Sequence, residues 1–173
     1  MCICTNGPHL IYKHYLMPTQ KIKLNKGLFA LVDDTDYPNL VLFKWHVAGR
    51  GYVIRNINKG QVGNTKMHRL IMRVPDGQGI DHINGNKLDN RKENLRVCTQ
   101  SQNSANKTKQ SNNTSGYKGV YWENWTNKWR AKIMFEGKNY PIGRFRTIRE
   151  AVIAYNNMAI KIHKEFAKIN QIN

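Results

Sequence analysis

The stretch DHINGNKLDNRKENLRVCTQSQNSAN, residues 81–106, decides how the rest of this chain is read. It sets an adjacent carboxylate and imidazole, Asp81 and His82, ahead of asparagines at Asn84, Asn86, Asn90, Asn94, Asn103 and Asn106. Besides Ile83, Leu88, Leu95, Val97 and Cys98 it has few apolar residues, so it cannot hold itself together as a long strand or helix. Stretches this polar are ordinarily loops, and acidic–His neighbours are common by chance. The spacing sets this one apart: Asn94 lies 12 positions after His82, and Asn103 lies 9 after Asn94. Asn84, Gly85 and Asn86 tolerate positive φ and are expected to shape a turn, as is Asn90.

Upstream, from Lys21, short alternating segments predict a small α+β unit over 21–75. KIKL and GLFALV read as strands around a turn at Asn25, Lys26 and Gly27. DDTDYPNLVLF places Asp and Thr where they would cap a short helix. KWHV and GYVIR predict a hairpin turning over 48–51, residues 60–64 a polar loop, and KMHRLIM a short apolar element. Residues 1–20 show no clean period.

Downstream, SANKTKQSNNTS (104–115) cannot bury itself and reads as a helix end followed by a linker, which in a basic protein can lie along a phosphate backbone. YKGVYW, KWRAKIMF and KNYPIGRF then read as three strands. In the middle one, Trp129, Ala131, Ile133 and Phe135 alternate with Arg130, Lys132 and Met134, which puts the first set on a core and the second on a largely basic free face. Thr147 and Glu150 have the spacing of a capping box, opening a helix with one apolar stripe: Ile148, Ala151, Val152, Tyr155, Met158, Ala159 and Ile162.

Composition narrows the partners. The 173 residues carry Lys+Arg 28 against Asp+Glu 11, a formal charge of +17, and the basic residues run through the whole chain. A folded body of that charge calls for a polyanion, with nucleic acid ahead of an anionic membrane. No apolar run approaches the roughly 18–20 residues of a membrane span. Cys2 and Cys4 are too close for a zinc knuckle and no second pair completes a four-ligand site, while Cys98 reads as a reduced core thiol. Free thiols and an N-terminus without a signal-peptide pattern lead to the expectation of an intracellular protein. His9, His14, His46 and His163 have no partner pattern, whereas His68 stands where it could buttress the 81–106 region.

The order D-H-x-N-G-N-x-x-D-N, then N-L-R, then T-x-x-x-N, preceded by Met67-His68-Arg69-Leu70, closely resembles the HNH homing endonucleases. The resemblance implies a ββα-metal core: a hairpin starting from the Asp81–His82 strand, then a helix beginning near Thr99. It implies one divalent ion per chain, held by Asp81 and the Asn103 side-chain oxygen, and hard oxygen donors suit Mg²⁺ or Mn²⁺. His82 would be the general base and Asn94 would orient its imidazole. Many HNH enzymes have His where this chain has Asn103, and Asn106, one helical turn on, competes for the ligand role. Arg91, Lys92 and Arg96 would contact phosphates.

SGYKGVYW, KWRAKI, IGRF, EAVIAYNNMA and FAKIN are similar to the plant ethylene-response-factor (APETALA-type) DNA-binding domain, which reads the major groove with its sheet. Matching positions give Lys118, Tyr121 and Trp125, to which the alternation adds Arg130 and Lys132. The plant guanine-reading arginines align with Tyr121, Glu123, Met134 and Asn139, so the plant target sequence does not carry over. Residues 21–66 look like the lead-in of phage-type HNH proteins with this C-terminal domain.

The expectation is therefore α+β: a lead-in (1–66) packing on an HNH core (67–106), a linker (107–115), and a three-stranded antiparallel sheet packed on one helix (116–173). The implied activity is site-specific cleavage of double-stranded DNA, nicking one strand or cutting both. The chain would act as a monomer on DNA, with no membrane partner or small-molecule cofactor, in a bacterial or phage-infected cytoplasm. The alternative is a sequence-specific DNA-binding regulator whose nuclease core is inactive.

Overall fold

The computed structural model describes residues 18–56, 63–109 and 111–172. Cys2, Cys4, His9, His14 and part of the 60–64 loop lie outside the described residues.

The chain opens with a hairpin of β1 (Thr19–Lys23) and β2 (Phe29–Asp33), turning over Asn25–Gly27 with Gly27 at φ +70°. Helix α1 (Tyr37–Leu40) follows the acidic run, but its N-cap Asp36 makes no side-chain capping bond. Strands β3 (His46–Val47) and β4 (Val53–Asn56) form the expected hairpin, closed by Gly51 N–H donating to Ala48 O at 2.7 Å. A third strand, β5 (Asn64–Lys66), joins β4's other edge. The sequence predicts a loop at Asn64, since the short N-T-K run carries no apolar alternation, and it is the free edge of β4 that makes these residues a strand. Helix α2 (Met67–Met72) ends at Arg73 in the left-handed conformation, φ 48°.

A second hairpin pairs β6 (Gly79–His82) with β7 (Leu95–Cys98), and α3 (Gln100–Asn106) follows at once. Thr99 caps α3 in a reciprocal box with Gln102, at the position where a helix was expected to start. One apolar core unites these pieces: Ile22, Ala30, Val32, Trp45, Val53, Met67, Ile80 and Leu95 are all buried in it. The lead-in also grips the long loop between β6 and β7. Leu31 donates to Leu88 O and accepts from Asn90 N–H, both at 2.8 Å, and Asp33 accepts from the Lys92 amide at 2.8 Å.

The C-terminal part is a sheet of order β10–β9–β8, made of β8 (Val120–Glu123), β9 (Lys128–Phe135) and β10 (Lys138–Phe145), covered by α4 (Ile148–His163). Thr147 and Glu150 form the capping box of α4, and its whole anticipated stripe enters the core with Val120, Ala131 and Ile133. The β9 alternation holds: Ala131 and Ile133 are buried, whereas Lys132 and Met134 are exposed. Gly119 sits at φ +74°, where an added Cβ would lie 2.1 Å from the Tyr155 ring and 2.6 Å from Lys132 O. Gly119→Ala should therefore destabilise the protein by about 2–4 kcal/mol, from left-handed strain plus ring displacement. Urea unfolding followed by tryptophan fluorescence measures it.

Candidate active site

The β6–β7 register sets Asp81 opposite Arg96 and His82 opposite Leu95. Arg96 reaches across: its Nε and Nη2 donate to Asp81 Oδ2 at 3.1 and 2.8 Å. Helix α3 presents Asn103 and Asn106 three positions apart, on one face. Asn106 Nδ2 donates to Asp81 Oδ1 (3.1 Å), His82 O (2.9 Å) and Ile83 O (3.3 Å), and so pins the helix to β6. Asp81 and His82 are 6% and 4% exposed, yet both line a cleft of about 570 Å³ whose wall includes Asn103, Asn106, Arg50, Tyr52, Lys87 and Lys107. The Asn103 amide makes no side-chain hydrogen bond among the described residues, whereas the Asn106 nitrogen is committed to three oxygens.

His82 lies in an aromatic cluster, with its ring centroid 5.2 Å from His68 and 6.1 Å from Tyr52. Burial pushes its pKa below the usual histidine value, and Lys87 adds to this. The Asn90 side chain and the Asp81 and Asp89 carboxylates pull the other way. His82 Nε2 and Asn90 Oδ1 are both enclosed with no hydrogen bond of good geometry. His68 is buried more harshly. Burial first, then the proximity of His82, Lys66 and Arg69, pushes its pKa down to about 3.

The asparagines of the loop divide their work. Asn84 Oδ1 accepts from Asn86 N–H at 2.8 Å and Asn86 Oδ1 from Leu88 N–H at 3.1 Å, the side-chain turns expected of them. The Asn94 amide makes no hydrogen bond to the imidazole, where one was expected. Its Oδ1 accepts from Asn84 N–H (3.0 Å), its Nδ2 donates to Asp89 O (2.8 Å), and its backbone carbonyl takes Ile83 N–H (2.9 Å). Asn94 thus fastens both sides of the loop that leaves His82, and any influence on the ring passes through the backbone.

Several basic residues expected to contact DNA are occupied. Arg91 pairs with Asp89 through Nε and Nη2, both at 2.8 Å, and with Glu93 at 2.6 Å; Lys92 pairs with Asp36 at 2.8 Å. Arg96 is spent on Asp81 and on Glu165 O, at 2.6 Å. Lys118 Nζ donates to Ala105 O at the end of α3. Its burial, with Lys168 and Lys107 nearby, pushes its pKa down to about 8. The carboxylates and carbonyl that hold these side chains are distant in sequence or lie within the loop's own fold, so a count of basic residues near the motif could not exclude them. Tyr121, Arg130 and Lys132 lie on the free face of the β8–β10 sheet, and Trp125 stands 75% exposed beyond β8. Glu123 sits among them, bonded by Arg144, Thr126 and Arg130, which hold its pKa down to about 2.

The sequence reading missed Arg50, Tyr52, Lys87 and Lys107 in the cleft wall, and Arg144 on the sheet. Lys87 Nζ donates to Arg50 O at 2.6 Å and stands 4.4 Å from the centre of the Tyr52 ring. The packing of the β3–β4 turn against the loop brings Arg50, Tyr52 and Lys87 together, and no motif spacing records that.

Among the described residues no three His, Cys, Asp or Glu side chains gather as a metal site. What the cleft offers a cation is one carboxylate and amide oxygens, hard donors of the kind that fit a divalent ion.

A family model described as HNH endonuclease matches residues 66–105. An uncharacterized HNH endonuclease, L560 of Acanthamoeba polyphaga mimivirus, is 33% identical over 154 residues, covering 86% of this chain and 78% of that protein. The chain belongs to the HNH endonuclease family. Protein 3.8 of Escherichia phage T7 is 36% identical over 95 residues, covering 55% of this chain and 78% of that protein. No solved structure matches. The segment matched by the family model contains α2, both strands of the Asp81–His82 hairpin and most of α3. No helix among the described residues is long and apolar enough to cross a membrane.

His68 gives the site a signature in stability. Its folded-state pKa is depressed, so the unfolded chain binds its proton first as pH falls; the contribution is intact above about 6.5 and is lost progressively toward 3. The wild type should lose on the order of 2 kcal/mol from this group between pH 7.5 and 5. In His68→Phe that segment of the pH–stability curve should flatten, as read by urea unfolding at the two pH values.

Proposed function

We propose that this HNH endonuclease hydrolyses DNA phosphodiester bonds, using His82 as general base beside a single divalent ion, as a site-specific enzyme of the homing type. The observation that carries the reading is the convergence of Asp81, His82 and Asn103 in one cleft with basic residues in its wall. The β6–β7–α3 arrangement supports a ββα-metal core. Asp81 and Asn103 would hold one Mg²⁺ or Mn²⁺ per chain, and Asn103 is preferred to Asn106, whose amide already ties the helix to β6. When bound, such an ion stabilises charge developing on the phosphate and the departing 3′ oxygen.

His82 takes the proton from the attacking water. Its lowered pKa keeps the imidazole unprotonated at neutral pH, the form a base requires. The rings of His68 and Tyr52 limit where the imidazole can turn. Arg50, Lys87 and Lys107 would draw the phosphate backbone into the cleft.

A second hollow, of about 430 Å³, is lined by Lys109, Tyr121 and Lys132 and shares Lys107 and Thr108 with the cleft. The two form one basic path from the cleft to the free sheet face. Along it the 107–115 linker would lie on phosphates, while the C-terminal unit, resembling the plant ethylene-response-factor domain, reads the target with Tyr121, Trp125, Arg130, Lys132 and Arg144. Positioning and base reading are then divided between the two ends. One site per chain makes a monomer a nicking enzyme, and a double-strand break takes two events.

Supercoiled plasmid carrying the target should be cut with Mg²⁺ or Mn²⁺, EDTA should stop cutting, and His82→Ala should slow it by about 10²–10⁴-fold. Tight, salt-sensitive binding without cleavage under either metal would favour the inactive regulator. The joint Lys107→Ala and Lys109→Ala variant should reduce the slope of log affinity against log salt by about 2. Titrations between 50 and 200 mM salt read that slope, and an unchanged value would remove the linker from the path.

A further inference from the structure

We propose that Arg96 is a positioning residue for the Asp81 carboxylate, and that the C-terminal turn Lys164–Phe166 in turn sets Arg96. Docking of the C-terminal unit then completes the candidate metal site instead of only delivering it to DNA. The guanidinium is used on every side. Nε and Nη2 hold Asp81 Oδ2, Nη1 donates to Glu165 O at 2.6 Å, and the central carbon lies over the Phe166 ring, 3.9 Å from its centre. Phe166 is itself buried, in a small cluster with Cys98 at the end of β7 and Ala105 on α3. Two further contacts fall on α3: Lys118 Nζ on Ala105 O, and Glu136 N–H on Ser101 Oγ at 3.2 Å.

The C-terminal unit therefore grips the two elements that frame Asp81. A carboxylate oxygen accepts about two hydrogen bonds in its plane. Arg96 fills those of Oδ2, while Oδ1 receives one bond, from Asn106, and keeps a lone pair for a cation. The planar fork of arginine, stacked on an aromatic ring, fixes the carboxylate's rotation in a way a single ammonium cannot. This role replaces the phosphate contact the sequence had led one to expect of Arg96.

The inference rests on the metal reading of Asp81 only in the affinity half of its test. Full-length wild type, Arg96→Lys and Phe166→Leu are compared without DNA; Phe166→Leu keeps an apolar side chain in the cluster and removes the ring face. Mn²⁺ affinity is read from the free-ion paramagnetic resonance signal, and order at the site from hydrogen–deuterium exchange of residues 79–83 in metal-free protein. Thermal melting establishes that each variant is folded. Arg96→Lys should weaken Mn²⁺ binding about 10-fold or more, Phe166→Leu should weaken it in the same direction, and both should speed exchange at 79–83. Unchanged affinity and exchange in folded variants would overturn the proposal. Tighter Mn²⁺ binding by Arg96→Lys would also overturn it, making the guanidinium a competitor of the cation. If wild type binds no Mn²⁺, the metal reading itself falls, and the exchange comparison alone decides whether the C-terminal turn orders Asp81.

Discussion

Taking a carboxylate out of water costs several kcal/mol unless hydrogen-bond donors replace the solvent, and Asp81 is 6% exposed. Much of the architecture around it serves to supply those donors. One comes from the facing strand as Arg96 and one from α3 as Asn106, so the carboxylate can be buried only when β6, β7 and α3 are all in place. None of the three is stable by itself. Two strands of four residues are marginal as an isolated hairpin, and a seven-residue helix is too short to persist in water. The polar contacts at Asp81 make these elements interdependent, while apolar burial elsewhere provides the driving force.

That burial comes from the lead-in together with α2. Val32 and Val53 of the lead-in and Met67 of α2 are completely enclosed and share a core with Ile80 and Leu95, which face inward from the hairpin. The β2 edge also gives the 83–94 loop backbone partners it could not find internally. A loop of that length, rich in asparagine, would otherwise sample many conformations. With Leu31 and Asp33 on one side and Asn94 on the other, the residues that leave His82 have one path. The imidazole is fixed from behind by the backbone and from the side by His68 and Tyr52.

Patterns that act over a few residues were legible in the sequence. The capping box at Thr147 is a four-residue signal satisfied locally, and the helix starts there, whereas the helix start at Thr99 was expected only from the family resemblance, although a box of the same kind closes on Gln102. The β9 alternation is set by the pleat, so the two sides of KWRAKIMF could be assigned without knowing what covers them. The spacing His82–Asn94–Asn103 led to the same segment that the family model matches. What was not legible depends on partners brought by folding. Asn94 was expected on the ring and is bonded to Asn84 and Asp89, because its position along the chain does not tell which neighbour its amide meets. Arg91, Lys92, Arg96 and Lys118 looked free because their acceptors are Asp89, Asp36, Asp81 and Ala105 O, three of them at least 13 positions away. β5 was missed because its three residues qualify as a strand only through the edge of β4.

The same partner logic locates the chain's charge excess. Ion pairs engage Arg69, Arg91, Lys92, Arg96, Arg130 and Arg144, so much of the arginine charge is answered within the fold. Arg50, Lys87, Lys107, Lys109 and Lys132 have no carboxylate partner among the described residues, and they line the cleft and the hollow that continues from it. A formal charge of +17 spread evenly would attract a polyanion without orienting it. Arg50, Lys87 and Lys107 stand together in the wall of the cleft that holds His82, and Lys109 and Lys132 continue into the hollow that shares Lys107 with it, so these five concentrate charge on one side of the fold in a way an even spread would not.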